Sequence, residues 1–413
     1  MGGAKAEITM ALIVQKFGGS SLADIDKIKA AAQLVARQYH HGDAVVVVVS
    51  AMQGVTDQLT SLVQSLSGDA AREKDAILAT GEQVAAASLS AALRALGVPA
   101  QSLTGGQVPI ITNQEYGKAK ILHVGDARLK AHLAERVVPV VTGFQGVSAN
   151  GDITTLGRGG SDLTAVAIAA ALSADHCHIY TDVAGVYTSD PRMVSTATAL
   201  ECIDFDQILE LSSLGAKVLQ SRCIEYAGKY QVPLKVLSTF SPDAPGTSIS
   251  YADDHVESAR LSGIALDRHQ VHVTLQGIPF RPGVLSYILS PIASAKVAVD
   301  MLVQTRPQNN GSRCDLSFAL SASDYAIVAN MLDELAIECD ASQLLVSDGM
   351  AKVSLVGAGL RSSTDVVSRL VTALGQEGVP IYLLTTGEIK ISAIVDTAFA
   401  SVSVRKLHES FNL

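Results

Sequence analysis

Five consecutive valines occupy residues 45–49, within the run "AVVVVVSAM" (44–52). β-Branched side chains favour a strand, and a strand with no polar alternation must be covered on both faces. A sheet with one wet side is therefore excluded, and the chain is expected to fold as a layered α/β protein.

The first two-thirds of the sequence agree with this. "ALIVQKF" (11–17) reads as a second buried strand, followed by a loop and a helical pattern with apolar positions at Ile25, Ile28, Ala32 and Val35. Further strands are expected at 137–144, 177–182 and 233–239, and helices at about 71–96, 161–174 and 206–231. Alternation of this kind indicates a largely parallel sheet. The stretch 238–258, rich in Ser, Pro, Asp and Gly, is the best domain boundary. Beyond it the pattern strand, helix, strand, strand, helix occurs twice, over 271–335 and 351–411. Two small βαββα domains behind a larger α/β domain suggest a regulatory pair appended to an enzyme. Such units expose sheet edges that a neighbour must cover.

At 413 residues the chain exceeds one ordinary core. Its net charge of −9 comes with no basic tract, which argues against a nucleic-acid partner. The longest apolar runs fall short of a membrane span, and "MGGAKAEITM" lacks the features of a signal peptide. Met10 serves equally well as a natural start. The five cysteines are scattered without a CxxC, which suits reduced thiols. A soluble, cytoplasmic protein is expected.

No GxxxxGK[ST], HExxH, GxSxG or kinase HRD…DFG set is present. "VGAGLRSS" (356–363) lacks the third glycine of a dinucleotide fingerprint. In "DHCHIYTD" His176 and His178 share a strand face while Cys177 points away, and no further metal ligand lies nearby. Four stretches remain. "VQKFGGSS" (14–21) ends a strand in Lys16 and a glycine loop, which suits either an anion cradle or a structural turn. "TTLGRGGSD" (154–162) offers Arg158, able to grip a carboxylate in bidentate fashion, and Asp162, either functional or a helix N-cap. "YTDVAGVYTSDPR" (180–192) follows a strand end, where open α/β sheets bind ligands; a turn at Asp190-Pro191 explains part of it. In "LATGEQVAAASL" (78–89), Glu82 is either buried opposite a cation or faces solvent. Together these supply cations for phosphate, an arginine for a carboxylate and a glutamate for an ammonium, as an amino-acid-phosphorylating enzyme requires.

These motifs, with "VVVVSAMQGVTDQL", "IYTDVAGVYTSDPR" and "SLGAKVL" in this order, resemble the aspartate kinases of the amino-acid kinase superfamily. The tail, with "RPGV", "VDMLVQ" and "TTGEIKIS", resembles their tandem ACT domains. The resemblance implies a three-layer kinase domain at 10–245 and ferredoxin-like ACT domains at 260–345 and 346–413. It further implies that Lys16, Phe17, Gly18 and Gly19 meet the ATP phosphates, with Lys16 stabilising the transferred γ-phosphoryl and Asp162 orienting Lys16. Arg158 would clasp the α-carboxylate of L-aspartate, Glu82 its α-ammonium, with Thr56 and Ser161 assisting. Thr181, Asp182, Tyr187, Arg192, Lys217 and Val218 match nucleotide-lining positions, and Mg²⁺ would accompany ATP. Asp300, Gln304, Ile381, Tyr382, Glu388 and Ile389 match positions that bind an amino-acid effector. A homodimer or homotetramer is expected.

The tail departs from the family pattern at Phe280, where an Asp is usual, at Pro380, where an Asn is usual, and at Gly387, where a Ser is usual. Losing an acid that pairs with an effector ammonium weakens binding by ~1.5–3 kcal/mol, so weak or redirected feedback is expected. Glutamate 5-kinase, acetylglutamate kinase, UMP kinase and carbamate kinase share the superfamily fold, but "LATGEQ" and the paired repeat count against them. Retention of Lys16, Arg158 and Asp162 counts against a catalytically dead amino-acid sensor.

Overall fold

The computed structural model describes every residue except 1–9, 67–69, 215–218, 252–259, 306–311 and 362, so Lys217 and Val218 lie outside the described residues. The chain divides into two units. The first runs to Val186 and takes up again at Ala199–Ser212 and in the segment ending at Asp254; the second takes Tyr187–Thr198 and the carboxy-terminal chain to Leu413.

In the first unit, β1 (Leu12–Phe17) is followed by α1 (Ile25–His41), β2 (Ala44–Val49), α2 (Val55–Leu66), α3 (Ala71–Leu78) and α4 (Thr80–Ala95). Next come β3 (Ala100–Leu103), β4 (Ile110–Thr112), β5 (Ile121–Val124), α5 (Ala127–Ala134), β6 (Val138–Thr142), β7 (Gln145–Ser148) and β8 (Ile153–Thr155). The unit closes with α6 (Gly160–Leu172), β9 (His176–Thr181), β10 (Cys202–Asp204), α7 (Phe205–Ser213), α8 (Ser221–Tyr230), β11 (Leu234–Ser238) and β12 (Thr247–Ser250).

Eight strands form the central sheet in the order β10-β12-β11-β9-β1-β2-β6-β3. All neighbours run parallel except β11 and β12. The valine run is β2, and it is covered on both faces as its composition requires. Val45, Val47 and Val49 pack with Ile28, Ala32 and Val35 of α1 and with Ala86, Leu89 and Leu93 of α4; each valine, leucine or isoleucine so buried contributes ~1.5–3 kcal/mol. The opposite face receives α6, which is buried almost all round and accordingly reads "LTAVAIAAAL" with no polar stripe. Helix α1 starts where the Asp24 carboxylate accepts the Lys27 amide (2.9 Å) and ends at left-handed Gly42.

The expected helix at 71–96 is two helices, meeting at Ala79. The run Ala71–Ala95 is long and apolar enough to cross a membrane by length and composition, but half of its most apolar window is buried inside the protein. A second sheet, in the order β5-β4-β7-β8, was not anticipated from the sequence. Its strands have three or four residues each, too few to show a period.

In the second unit, β13 (Arg260–Pro279), α9 (Val284–Ser294), β14 (Asp300–Gln304), β15 (Arg313–Ser321) and α10 (Ala322–Glu338) form one βαββα repeat. The other comprises β16 (Gln343–Ala358), α11 (Thr364–Gln376), β17 (Leu383–Thr386), β18 (Lys390–Asp396) and α12 (Ala400–Phe411). They share one antiparallel sheet, β14-β15-β13-β16-β18-β17. Strand β13 is 20 residues long and serves both repeats. Its first half pairs with β16, from Arg260 opposite Ala358 to Asp267 opposite Lys352, while its second half pairs with β15 over Gln270–Pro279 and with β16 as far as Gln276. The expected division at 345/346 therefore falls inside one strand.

Tyr187–Thr198, within the span expected for the kinase domain, is built into this second unit. Val194 packs in the core formed by Val353, Leu370 and Phe411. The Thr188 carbonyl accepts the Ile264 amide (2.7 Å), and its hydroxyl meets His408 Nε2 (3.0 Å).

Because the repeats share a sheet, Phe318→Ala in the first repeat, which should cost ~3–5 kcal/mol, is expected to accelerate amide hydrogen exchange in β16 and β18 as well as in β13 and β15. Loss of protection confined to the first repeat would show that the two unfold separately.

Candidate active site

Strand alternation decides which way Lys16 points. In register with Val48 and Ile179, it lies on the face that α6 covers, and its ammonium contacts the Asp162 carboxylate at 2.5 Å. Both residues are buried (8% exposed each). A buried ammonium needs such a counter-charge. Phe17 points to the opposite face and stacks on Tyr180, with ring centroids 4.6 Å apart, so its side chain belongs to the core. At Gly19 any side chain would meet the Ala51 carbonyl oxygen at 2.8 Å, and the close approach of the β1 and β2 turns requires glycine.

Those turns open onto a cavity of about 430 Å³, lined by Lys16, Gly19, Thr56, Glu82, Arg158, Ser161 and Asp162 among others. The sequence stretches 14–21, 78–89 and 154–162 thus converge. Gly18 lies beside the Lys16 ammonium. Helix α6 has no side-chain cap, so its positive end faces this cavity through Gly160–Asp162. Gly159 precedes it at φ +71°, where a side chain would run into Gln220.

Glu82 is buried, not solvent-facing (3% exposed). Its Oε1 accepts the Ala51 amide at 3.0 Å, and Oε2 has no hydrogen-bond partner among the described residues. Burial pushes its carboxyl from an ordinary 4.5 up to about 7, against the lowering effect of the Ala51 hydrogen bond. Arg158 is exposed at the rim, with no hydrogen-bond or ion-pair partner among the described residues. Asp162 meets Lys16 and does not cap its helix.

Other expected positions are not drawn into the cavity. Thr181, at the end of β9, donates its hydroxyl to Asp182 (3.1 Å). Tyr187 and Arg192 belong to the second unit, where Arg192 grips Asp190 through Nε (3.1 Å) and a terminal nitrogen (2.9 Å). His176 and His178 stack at 5.9 Å with Cys177 on the other face, and among the described residues no group of three His, Cys, Asp or Glu side chains could hold a metal. Asp57, Phe144 and Gln220 line the cavity without having been singled out in the sequence. Asp57 adjoins Thr56 in "GVTDQL", and Phe144 lies in "GFQGV" (143–147), a further stretch that resembles the aspartate kinases; nothing local marks Gln220.

In the second unit Asp300 is ion-paired with Lys352 at 2.6 Å. Burial disfavours the Asp300 charge, yet the bond and charge of Lys352 hold its carboxyl below the usual range. Gln304 donates to Cys314 Sγ (3.1 Å). Ile381 is half-buried and Tyr382 exposed. The backbone carbonyls of Glu388 and Ile389 accept from Leu360 and Gly357 (3.0 Å each).

Residues 11–238 match the amino acid kinase family and residues 353–411 the ACT domain. Over 407 residues the chain is 47% identical to an aspartokinase of Pseudomonas aeruginosa, covering 98% of each protein. The chain belongs to the aspartokinases. An aspartokinase of Mycolicibacterium smegmatis is 43% identical, with 98% of this chain and 97% of that protein aligned. The crystal structure of E. coli aspartokinase III in complex with aspartate and ADP matches with a TM-score of 0.80 at 26% identity, over 97% of this chain and all of that one. This aspartokinase thus combines an amino acid kinase fold with a carboxy-terminal ACT region.

In the aspartokinase cavity Glu82 carries a stability cost. A carboxyl raised from 4.5 to about 7 binds more protons folded than unfolded across that interval, so stability falls as pH rises through it, by roughly 3 kcal/mol in all. Glu82→Gln removes the ionisation. Its thermal stability is expected to exceed that of the unchanged protein by more at pH 8 than at pH 5; an equal or reversed difference would contradict this.

Proposed function

We propose that this aspartokinase transfers the γ-phosphoryl group of ATP to the β-carboxylate of L-aspartate, giving 4-phospho-L-aspartate and ADP. The observation that carries the reading is the set of charges around one cavity: a buried glutamate with one oxygen unpartnered and an exposed arginine unpaired among the described residues, and a buried lysine held by an aspartate. A zwitterionic amino acid would put its ammonium on Glu82 and its α-carboxylate on Arg158. Its β-carboxylate is then left toward Lys16, beside the anion-accepting turn at Gly18 and Gly19 and the start of α6. A carboxylate is already ionised at neutral pH, so attack on phosphorus requires no general base. Lys16 neutralises charge that grows on the transferring oxygens, and Asp162 keeps its ammonium in place. Thr56 and Ser161 complete the substrate's polar surroundings. Mg²⁺ would arrive as the nucleotide's counter-ion, held by phosphate oxygens and water, and Thr181, Asp182, Tyr187, Arg192, Lys217 and Val218 are the candidate nucleotide contacts. The product would feed lysine, threonine and methionine synthesis.

Acyl-phosphate trapped as the hydroxamate, with MgATP and L-aspartate against L-glutamate, tests the reaction: signal with aspartate alone is expected, and none with either would sink it. Arg158→Ala is expected to raise KM for aspartate about 10- to 100-fold, as for a charge-assisted bond of ~1.5–3 kcal/mol. Lys16→Met should lower kcat ~10²–10³-fold. Because Glu82 must be ionised to meet an ammonium and its carboxyl titrates at about 7, KM for aspartate should rise as pH falls below that value.

Feedback control is inferred to be weak or redirected. Phe280, Pro380 and Gly387 lack the polar groups usual there, and Asp300, which would receive an effector ammonium, is already paired with Lys352. Inhibition by micromolar lysine or threonine would overturn this. The shared sheet ends at β14 and β17; Leu302 of β14 and Tyr382, the residue before β17, are exposed, as suits edges covered in a homodimer or homotetramer.

A further inference from the structure

The reaction leaves unexplained a fully buried carboxylate outside the cavity. Asp75, on α3, is 0% exposed. Its Oδ2 accepts the amides of Thr155 (2.7 Å) and Gly117 (2.9 Å), and its Oδ1 accepts the Thr155 hydroxyl (2.8 Å). Thr155 ends β8, and the next residues are Leu156, Gly157 and Arg158. On the other side, the Asp75 carbonyl accepts the Ala79 amide (3.0 Å) at the junction with α4. The Ala79 carbonyl accepts the Gln145 side-chain amide (2.8 Å). Glu82 follows within the first turn of α4.

Two side chains that lie 76 residues apart in the sequence, Glu82 and Arg158, are thus joined through one carboxylate. Nothing else about α3 demands an acid there. A solvent-excluded carboxylate is costly unless its lone pairs are filled, and here three donors fill them, two of them from the strand that feeds the Arg158 loop. We infer that Asp75 is a positioning residue that sets the spacing between the ammonium-binding Glu82 and the carboxylate-binding Arg158. The inference rests on the assignment of those two residues as the anchors of aspartate. Asp75 touches no substrate. It acts on the distance across which a zwitterion must fit, and misplacement by a fraction of the reach of a hydrogen bond weakens both ends together.

The Lys16–Asp162 pair uses neither Asp75 nor its partners, so the phosphate side should be unaffected. Asp75→Ala is expected to raise KM for aspartate about tenfold or more, equivalent to ~1.4 kcal/mol, with KM for MgATP within about twofold. Asp75→Asn is expected to recover most of this, because its carbonyl can accept both amides while its NH₂ donates to the Thr155 hydroxyl oxygen. Thr155→Val removes only the hydroxyl contact and should raise KM for aspartate about threefold; it supplies the readout if Asp75→Ala does not fold. Equal changes in both KM values, or none in any of the three variants, would overturn the role. Wild-type protein that forms no aspartyl hydroxamate would remove the reaction itself, an outcome distinct from an active enzyme indifferent to Asp75.

Discussion

A lysine in the middle strand of a sheet covered on both faces is stable only with an opposite charge beside it. The contact between Lys16 and Asp162 meets that condition, and much of the first unit follows from it. Asp162 must lie in the first turn of α6, so α6 must dock with its amino end over β1. The loop before α6 must then reverse in very little space, which is why Gly159 adopts a left-handed conformation that other residues rarely take, at a point where a side chain would strike Gln220. Arg158 is carried to the cavity rim as a result. Charge satisfaction inside the sheet and presentation of an arginine outside it are one structural requirement.

The site carries a tension between folding and chemistry. Among the described residues one oxygen of Glu82 has no partner, in a place from which water is largely excluded, and unpaired buried groups of this kind are costly. On the proposed function, an incoming ammonium would remove this cost. The neighbouring lysine, by contrast, has its counter-ion already in place.

Much of this was legible in the chain because the residues concerned act locally. Lys16 and Gly19 sit in one eight-residue stretch, and Arg158, Ser161 and Asp162 in another. The valine run announced its own covering. Hidden were features whose partners are remote: Asp75 bonds residues 42 and 80 positions away, and on a helical pattern it reads as one more solvated acid. The strands at 110–112 and 153–155 are too short to carry a period. The first half of β13 went unread because its partner, β16, lies about 90 residues downstream, and Tyr187–Thr198 because packing, not sequence adjacency, assigns it to the second unit.

Strand β13 has a practical consequence. It begins the sheet beside the second repeat and continues beside the first, so no cut between the repeats leaves two whole pieces. The βαββα repeats cannot be traded singly between related enzymes, as cassettes would be. An exchange that preserves the hydrogen-bond ladder has to carry residues 260–413 as one graft. It must also bring Tyr187–Thr198, whose Val194 fills the same core, and so the recombination points of a working chimaera lie inside the catalytic sequence as well as after it.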